Sequence, residues 1–166
     1  NCEGFAVLRD PGDPDPERRY KGFYWEHGGI DTFIAWKDGR LLWGEGEGDG
    51  MWVSFSPDGT RWTNCAANPV IPLGSDTTQS LLWDAAGQRY VVYGRMGAGG
   101  RRVARSESQD GVHFTPPELV FGPDAVDEEG TQFYGMPVNL YEGLYVGMLW
   151  VYREGVDGTI DTALAA

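Results

Sequence analysis

The chain has 166 residues, enough for one ordinary domain with a buried core. Its formal net charge is −12, and its Lys and Arg residues form no block. Such a surface repels phosphate backbones and anionic lipids, and no apolar run approaches the roughly 20 residues that a spanning helix needs. We therefore expect neither a nucleic-acid nor a membrane partner, and the sequence indicates no compartment.

Glycine supplies 25 residues and aromatic side chains 13% of the chain, which is typical of β-strands joined by turns. No segment shows apolar residues at helical spacing, so we expect almost no helix. The two cysteines, Cys2 and Cys65, are too few for a disulfide framework or a metal site, and two unpaired thiols are favoured over one disulfide. His27 has no neighbours at ligand spacing, so we expect no metal and no other cofactor.

One turn is written twice along the chain. "SFSPDGTRWT" at 54–63 recurs as "SESQDGVHFT" at 106–115. Each copy places an Asp-Gly pair, at 58–59 and 110–111, between apolar runs, which is the strongest short-range signal for a tight β-hairpin. The pattern predicts strand, two-residue turn, strand in both copies, with Ser and Asp side chains bonding the turn's own backbone.

The segments before these turns also correspond. "FAVLRDP" and "RRYKGFYW" match "QSLLWDA" and "QRYVVYGR", and both match "GMPVNLY" and "GLYVGMLW". These pairs predict an all-β chain of three antiparallel units, at about 5–63, 79–115 and 134–166, repeating at about the spacing of propeller blades. A closed propeller needs at least about four blades. We therefore expect a piece of a larger protein, with the missing blades of the same chain as partners.

These residues resemble the five-bladed propellers of the furanosidase superfamily of glycoside hydrolases, which includes arabinanases, β-xylosidases, invertases and levansucrases. The resemblance to a family-32-like or family-43-like branch covers about 5–165. It rests on "VLRDPGDPDPERRYKGFYW", "SPDGTRWT", "GSDTTQSLLWDAAGQRYVVYGR" and "RRVARSESQDGVHFT". It implies three consecutive blades of a five-bladed β-propeller and cleavage of a furanoside or pyranoside linkage in a carbohydrate substrate.

Glycoside cleavage needs two carboxyl groups that flank the scissile bond. The resemblance makes Asp10 of Arg-Asp-Pro a carboxylate that stabilises the transition state, and it places Asp76 where a general acid is expected. Glu129 is a third candidate. Each also has a plainer reading: Asp10 in a solvated turn, Asp76 in substrate binding or a turn, and Glu129 in a solvated acidic loop.

Because Asp10 and Asp76 open corresponding strands, we expect both to face one central channel. Four further residues are candidate substrate contacts: Arg9, Gln79, Gln132 and Tyr134, of which the last offers a ring for sugar stacking. The segment before Asp10 lacks the base Asp that the resemblance implies, so we expect the 166 residues alone to hydrolyse no glycoside.

Two other functions stay open. A propeller can bind carbohydrate or a protein partner without catalysis, since fold does not determine function. A sialidase-like propeller is the other alternative, but sialidases carry a longer turn, Ser-x-Asp-x-Gly-x-x-Trp. Here Gly59 and Gly111 follow the Asp directly, which favours the furanosidase group.

Overall fold

A computed structural model describes residues 2–26, 35–37, 40–42, 49–96, 101–153 and 159–166, and for 35–37 and 40–42 it describes the backbone alone. His27 lies outside the described residues. Within them, every strand pairing is antiparallel.

The first sheet has the strand order β1-β2-β5-β6, and a separate hairpin, β3 with β4, is inserted between β2 and β5. The strands are β1 (Cys2–Arg9), β2 (Tyr20–Glu26), β3 (Ala35–Lys37), β4 (Arg40–Leu42), β5 (Gly50–Ser56) and β6 (Thr63–Asn64). Apart from the inserted hairpin, each strand pairs with the next along the chain, which is the connectivity of a propeller blade.

The second sheet repeats this up-and-down arrangement, whereas the third has a different strand order. The second is ordered β7-β8-β9-β10, with β7 (Ser80–Asp84), β8 (Arg89–Gly94), β9 (Val103–Ser108) and β10 (Glu118–Phe121). The third contains β11 (Thr131–Gly135), β12 (Val138–Tyr141), β13 (Leu144–Arg153) and β14 (Ile160–Ala165). In it, β11, β12 and β14 all pair with the long strand β13.

The all-β prediction is confirmed. Among the described residues the one helical segment is a 3-10 turn at Pro16–Arg18, which the Asp15 side chain caps by accepting the Glu17 N–H. Three antiparallel four-stranded sheets follow one another along the chain. Closure into a five-bladed propeller stays a prediction.

The two Asp-Gly turns have the same internal hydrogen bonds. Ser56 Oγ accepts the Gly59 N–H at 2.8 Å, and Ser108 Oγ accepts the Gly111 N–H at 2.9 Å. In each copy one Asp Oδ1 atom accepts two further backbone N–H groups beyond the glycine. Both glycines have positive φ, at 79° and 73°, which explains why glycine follows the Asp.

The prediction of a two-residue turn was wrong, although the turns do join the third and fourth strands of their sheets. Residues 57–62 separate β5 from β6, and residues 109–117 separate β9 from β10. The loops can be wider than two residues because the Ser and Asp side chains accept hydrogen bonds from backbone N–H groups of the turn. These bonds replace part of the backbone hydrogen-bond ladder between the two strands.

Strand β8 of the second sheet is buried on both faces, because its alternate side chains enter two different cores. Tyr90 and Val92 pack with Phe23 and Val53 of the first sheet. Val91 and Tyr93 pack with a group from the third sheet: Phe133, Val138 and Leu149. This period-two alternation is what a strand between two packed sheets requires.

The first and third sheets each leave apolar side chains exposed. On β1 these are Phe5 and Val7. The third sheet exposes a larger set, which is Tyr141, Leu144, Met148, Ile160 and Leu164. The second sheet exposes Leu119, Val120 and Phe121, which all lie on its edge strand β10.

Strands β1 and β7 lie side by side and run in the same direction. Gly4, near the start of β1, touches Thr77 and Gln79, which precede β7. Asp10, just past the end of β1, accepts a hydrogen bond from Tyr90, which pairs with Trp83 near the end of β7. We call the end where these strands begin the cavity end, and the opposite end the Asp10 end.

Candidate functional site

A cavity of about 400 Å³ opens at the cavity end, between the first and second sheets. Its walls are side chains and backbone from strand termini: Trp25, Asp49, Gly74, Ser75, Asp76, Arg95 and Arg101. Trp25 is the second-last residue of β2, whereas Arg95 directly follows β8. These termini lie close together because, in an antiparallel sheet, each strand ends at the edge where the next strand begins.

Asp76 and Arg95 form an ion pair at the wall of this cavity. Ser75 positions the pair, since its Oγ accepts the backbone N–H of Arg95 at 3.1 Å. The Asp76 side chain is 42% exposed and the Arg95 side chain only 7%. Burial lowers the pKa of the Arg95 guanidinium, although an arginine stays charged at any physiological pH.

Tyr134 lies beside the two cavity arginines. The guanidinium carbons of Arg95 and Arg101 are 5.0 and 4.9 Å from the centre of its ring, within the range of cation–π attraction. Arg101 Nη1 donates to Gln132 Oε1 at 2.5 Å. Strand β11 therefore brings both of its predicted substrate contacts, Gln132 and Tyr134, to the arginines of this cavity.

Trp25 and Asp49 form the side of the cavity that belongs to the first sheet. Trp25 is 5% exposed, and its Nε1–H donates to Asp49 Oδ1 at 2.6 Å. A Cβ at Gly74 would lie 2.8 Å from the same indole nitrogen, so glycine permits the close approach of backbone and ring. The cavity thus combines two carboxylates, two guanidinium groups and an indole.

Asp10 lies at the opposite end, within the core between the first two sheets. It is 8% exposed, and its Oδ2 accepts from Lys21 Nζ at 2.8 Å and from the Tyr90 hydroxyl at 2.5 Å. Lys21 is 1% exposed and also donates to Asp13 Oδ2 at 2.7 Å and to the Arg18 carbonyl at 3.0 Å. The structure therefore does not bring Asp10 and Asp76 to one channel, contrary to our expectation.

The electrostatics of Asp10 follow from these contacts. Burial raises the pKa of the Asp10 carboxyl, but hydrogen bonds from Lys21 and Tyr90 and the charge of Lys21 outweigh it and hold the pKa below its usual value. Burial and the bond to Asp10 raise the pKa of Tyr90. Asp10 thus carries a negative charge that Lys21 of the first sheet and Tyr90 of the second help to hold.

The other predicted site residues are placed as follows. Gln79 is buried beneath the cavity wall and donates to the Ser75 carbonyl at 2.7 Å. Arg9 is exposed at the far end of β1, and Glu129 is exposed in the loop before β11. Neither lines the cavity, and their site roles stay predictions.

Sequence reasoning missed four of the cavity residues: Trp25, Asp49, Arg95 and Arg101. They come from the termini of β2, β5, β8 and β9. The repeat itself held a usable signal, because corresponding strands end at corresponding levels. Any polar residue directly after β8 or before β9 must lie near a residue directly before β7.

A larger cavity of about 710 Å³ lies between the second and third sheets. Its walls are mainly apolar, including Phe121, Met136 and Leu149, and its Arg153 is already paired with Asp161 at 2.5 Å. It lacks the convergent polar groups that characterise a binding site.

Within the described ranges, no three His, Cys, Asp or Glu side chains are grouped to hold a metal ion. In the same part of the chain, no helix has the length and apolar character to span a bilayer. Cys2 and Cys65 are both free, as expected.

Three comparisons place the chain among known proteins. No protein-family model matches it, and no curated protein sequence does. Its structure matches that of a Bifidobacterium bifidum s17 protein assigned as an exo-beta-1,3-galactanase, with a TM-score of 0.53 and 14% identity, over 96% of this chain and 51% of the other.

Two further structures match less closely. An N-acetylgalactosamine deacetylase from F. plautii gives a TM-score of 0.49 at 13% identity, over 99% of this chain and 66% of that one. An exo-beta-1,3-galactanase from Clostridium thermocellum gives 0.47 at 13%, over 96% and 36%. The chain spans about half the length of the Bifidobacterium protein, and the likeness shows a fold shared with part of a glycoside-hydrolase-like protein.

Proposed function

We propose that this chain belongs to a carbohydrate-active, glycoside-hydrolase-like β-propeller whose sugar site is the cavity at the cavity end. The observation that carries the proposal is the meeting of Asp49, Asp76 and Trp25 with Arg95 and Arg101 around one cavity. Carboxylates and guanidinium groups bind sugar hydroxyls, and aromatic rings stack on the apolar faces of sugars. The fold shared with half of an exo-beta-1,3-galactanase supports the same reading.

In this proposal the three sheets are consecutive blades, at about 5–63, 79–115 and 134–166, of a five-bladed propeller. The apolar side chains that β1, β13 and β14 leave exposed support it, since inner blades of a propeller bury both faces, whereas those exposed in the second sheet lie on its edge strand β10. The neighbouring blades would cover Phe5 and Val7 on one side and the exposed face of β13 and β14 on the other.

For the chemistry we propose Asp76 as a catalytic carboxylate, with Asp49 or Glu129 as the second carboxyl group. Hydrolysis requires one carboxyl to protonate the leaving oxygen and another to activate water or attack the anomeric carbon. Gln132 and Tyr134 would contact the sugar, and Gln79 would support the Ser75–Asp76 segment from below. Asp10 falls outside this proposal, because its described oxygen contacts are all internal.

The test compares Asp76→Asn with Asp10→Asn. Each change replaces one carboxylate by its neutral isostere, so the two variants are matched in chemistry and differ in position. We expect Asp76→Asn to weaken sugar binding, measured by saturation-transfer NMR against arabinofuranosides, xylosides, fructans and β-1,3-galactan oligosaccharides, and to leave the urea midpoint nearly unchanged. Asp10→Asn should lower the midpoint and leave binding by the folded protein intact.

The opposite pattern would overturn the proposed site: binding lost in Asp10→Asn and kept in Asp76→Asn. Hydrolysis is scored in the same samples by product release. Turnover by the unmodified 166-residue chain would show that it carries both carboxyl groups, and would contradict our expectation that the chain alone is inactive.

A further inference from the structure

The cavity holds two arginines although the protein carries a formal net charge of −12. Several arginines of this acidic protein pair with a carboxylate, as Arg61 does with Asp58 and Arg89 with Glu107. Arg101 differs from these. It lines the cavity, and none of the carboxylates in the described part of the chain pairs with it.

Arg101 has few polar partners of its own. A guanidinium group carries five N–H donors, and in Arg101 one of them meets the neutral Gln132 amide oxygen. Its other described contacts are the rings of Tyr134 and Tyr152, whose centres lie 4.9 and 5.3 Å from its guanidinium carbon. These rings orient the guanidinium group of Arg101 but do not neutralise its charge.

Arg95 adds a second, independent observation. The Arg95 side chain is only 7% exposed. Within the described ranges, its buried Nε–H has no hydrogen-bond acceptor. A buried donor without an acceptor destabilises the folded protein, and a bound ligand is one way to supply the missing acceptor. Asp76 accepts a hydrogen bond from Nη2 of the same guanidinium group, so only part of the hydrogen-bonding capacity of Arg95 is used.

We propose that the cavity recognises a negatively charged substituent of the sugar, a carboxylate or a sulfate, through Arg101 with Arg95 behind it. This inference rests on the proposed function, because it names the class of sugar that the same cavity binds. Planar guanidinium forks pair with carboxylate and sulfate oxygens through two parallel charge-assisted hydrogen bonds. Asp49 and Asp76 would then accept hydrogen bonds from hydroxyls of the same ring.

The experiment uses sugar pairs that differ only at C6. Binding of glucuronic acid, galacturonic acid and galactose 6-sulfate to the 166-residue chain is compared with binding of glucose and galactose, by ligand-observed NMR titration. We expect the acid or the sulfate to bind at least about tenfold more tightly than its neutral partner, the smallest gain that one charge-assisted hydrogen-bond pair supplies. The arm with the larger gain identifies the anionic group.

Two variants locate the effect. Arg101→Met keeps the length of the side chain and removes its charge, and it should abolish the preference for charged sugars, so that charged and neutral sugars bind with affinities within about twofold of one another. Arg61→Met removes one positive charge from an exposed Asp-Gly turn. It should leave the preference unchanged, which separates the cavity from the net charge.

The outcomes are distinct. Neutral and charged sugars bound equally, with Arg101→Met silent, would overturn the anion proposal and leave the sugar site standing. Inorganic sulfate bound as tightly as galactose 6-sulfate would retain an anion site and contradict sugar recognition. No binding of any sugar or of sulfate would overturn both proposals.

Discussion

Asp10 and Asp76 each pair with a cation, yet they lie at opposite ends of the first two sheets in different surroundings. Asp10 is 8% exposed and accepts hydrogen bonds from Lys21, Tyr90 and the Gly12 backbone. The Asp76 side chain is 42% exposed and borders a cavity. A carboxylate satisfied inside a core has little left to offer a ligand, whereas one at a cavity wall can exchange water for a hydroxyl group.

The same residue type, aspartate, therefore serves two purposes according to what surrounds it. At the Asp10 end the polar groups join two sheets. Arg18, in the turn after Asp10, extends this by donating to the Asp110 carbonyl of the second Asp-Gly turn at 2.7 Å. At the cavity end the polar groups lie around open space. Substitutions at the Asp10 end and at the cavity end should therefore have different effects on stability.

The largest effect is expected from Lys21→Met. The substitution leaves Asp10 and Asp13 buried without their shared cation, and removing one partner of a buried ion pair costs about 3–5 kcal/mol. Urea unfolding at neutral pH measures it. Arg61→Met is the matched control: its ion pair is exposed, so a loss below about 1 kcal/mol is expected. Equal losses in the two variants would contradict a structural role for the Asp10 cluster.

Gly4→Ala should cost about 2–4 kcal/mol, through strain and overlap together. Gly4 has φ of 62°, and a Cβ there would overlap Gln79 Oε1 and the Thr77 carbonyl oxygen. Gly143→Ala is the control, since Gly143 has φ of 81° but nothing within 4 Å of the added atom. It should cost about 1 kcal/mol. The difference in urea midpoint isolates the contact between β1 and the Thr77–Gln79 segment, and a difference of zero would show that this contact is loose.

A smaller effect is expected in acid. Because folding lowers the pKa of Asp10, its stabilisation is complete above about pH 4, the pKa of an unfolded Asp, and is lost as the pH falls through the lower folded value. The stability difference between the parent and Asp10→Asn should therefore shrink from pH 7 to pH 3 in urea titrations. A difference that stays constant with pH would mean that Asp10 acts through packing and not through its charge.

The fold was more predictable from the sequence than the site. The repeated Ser-x-Asp-Gly turn and the two-residue alternation in strands such as β8 are local patterns, and they predicted three antiparallel units with almost no helix. Comparing repeat positions also selected Gln132, Tyr134 and Asp76 as candidates, and their site roles stay predictions.

The remaining site residues depend on contacts that no local pattern shows. Arg101, next to the second sheet, contacts the ring of Tyr134 in the third sheet. Asp10, next to the first sheet, accepts a hydrogen bond from Tyr90 in the second. Arg-Asp-Pro was read as a sugar-binding motif because its letters match one, but the burial of its Asp depends on Lys21 and Tyr90. The motif alone therefore could not show that its carboxylate contacts Lys21 and Tyr90 inside the core.

The smallest change in stability is expected from Arg95→Met. Arg95 is nearly as buried as Lys21, but its partner Asp76 is half exposed, so water can solvate the carboxylate once the guanidinium is gone. The methionine also removes the cost of burying a guanidinium whose Nε–H lacks a described acceptor. We expect a loss below about 1 kcal/mol in urea unfolding together with weaker sugar binding. A loss as large as that of Lys21→Met would show that the cavity end, like the Asp10 end, uses its ion pair to hold the sheets together.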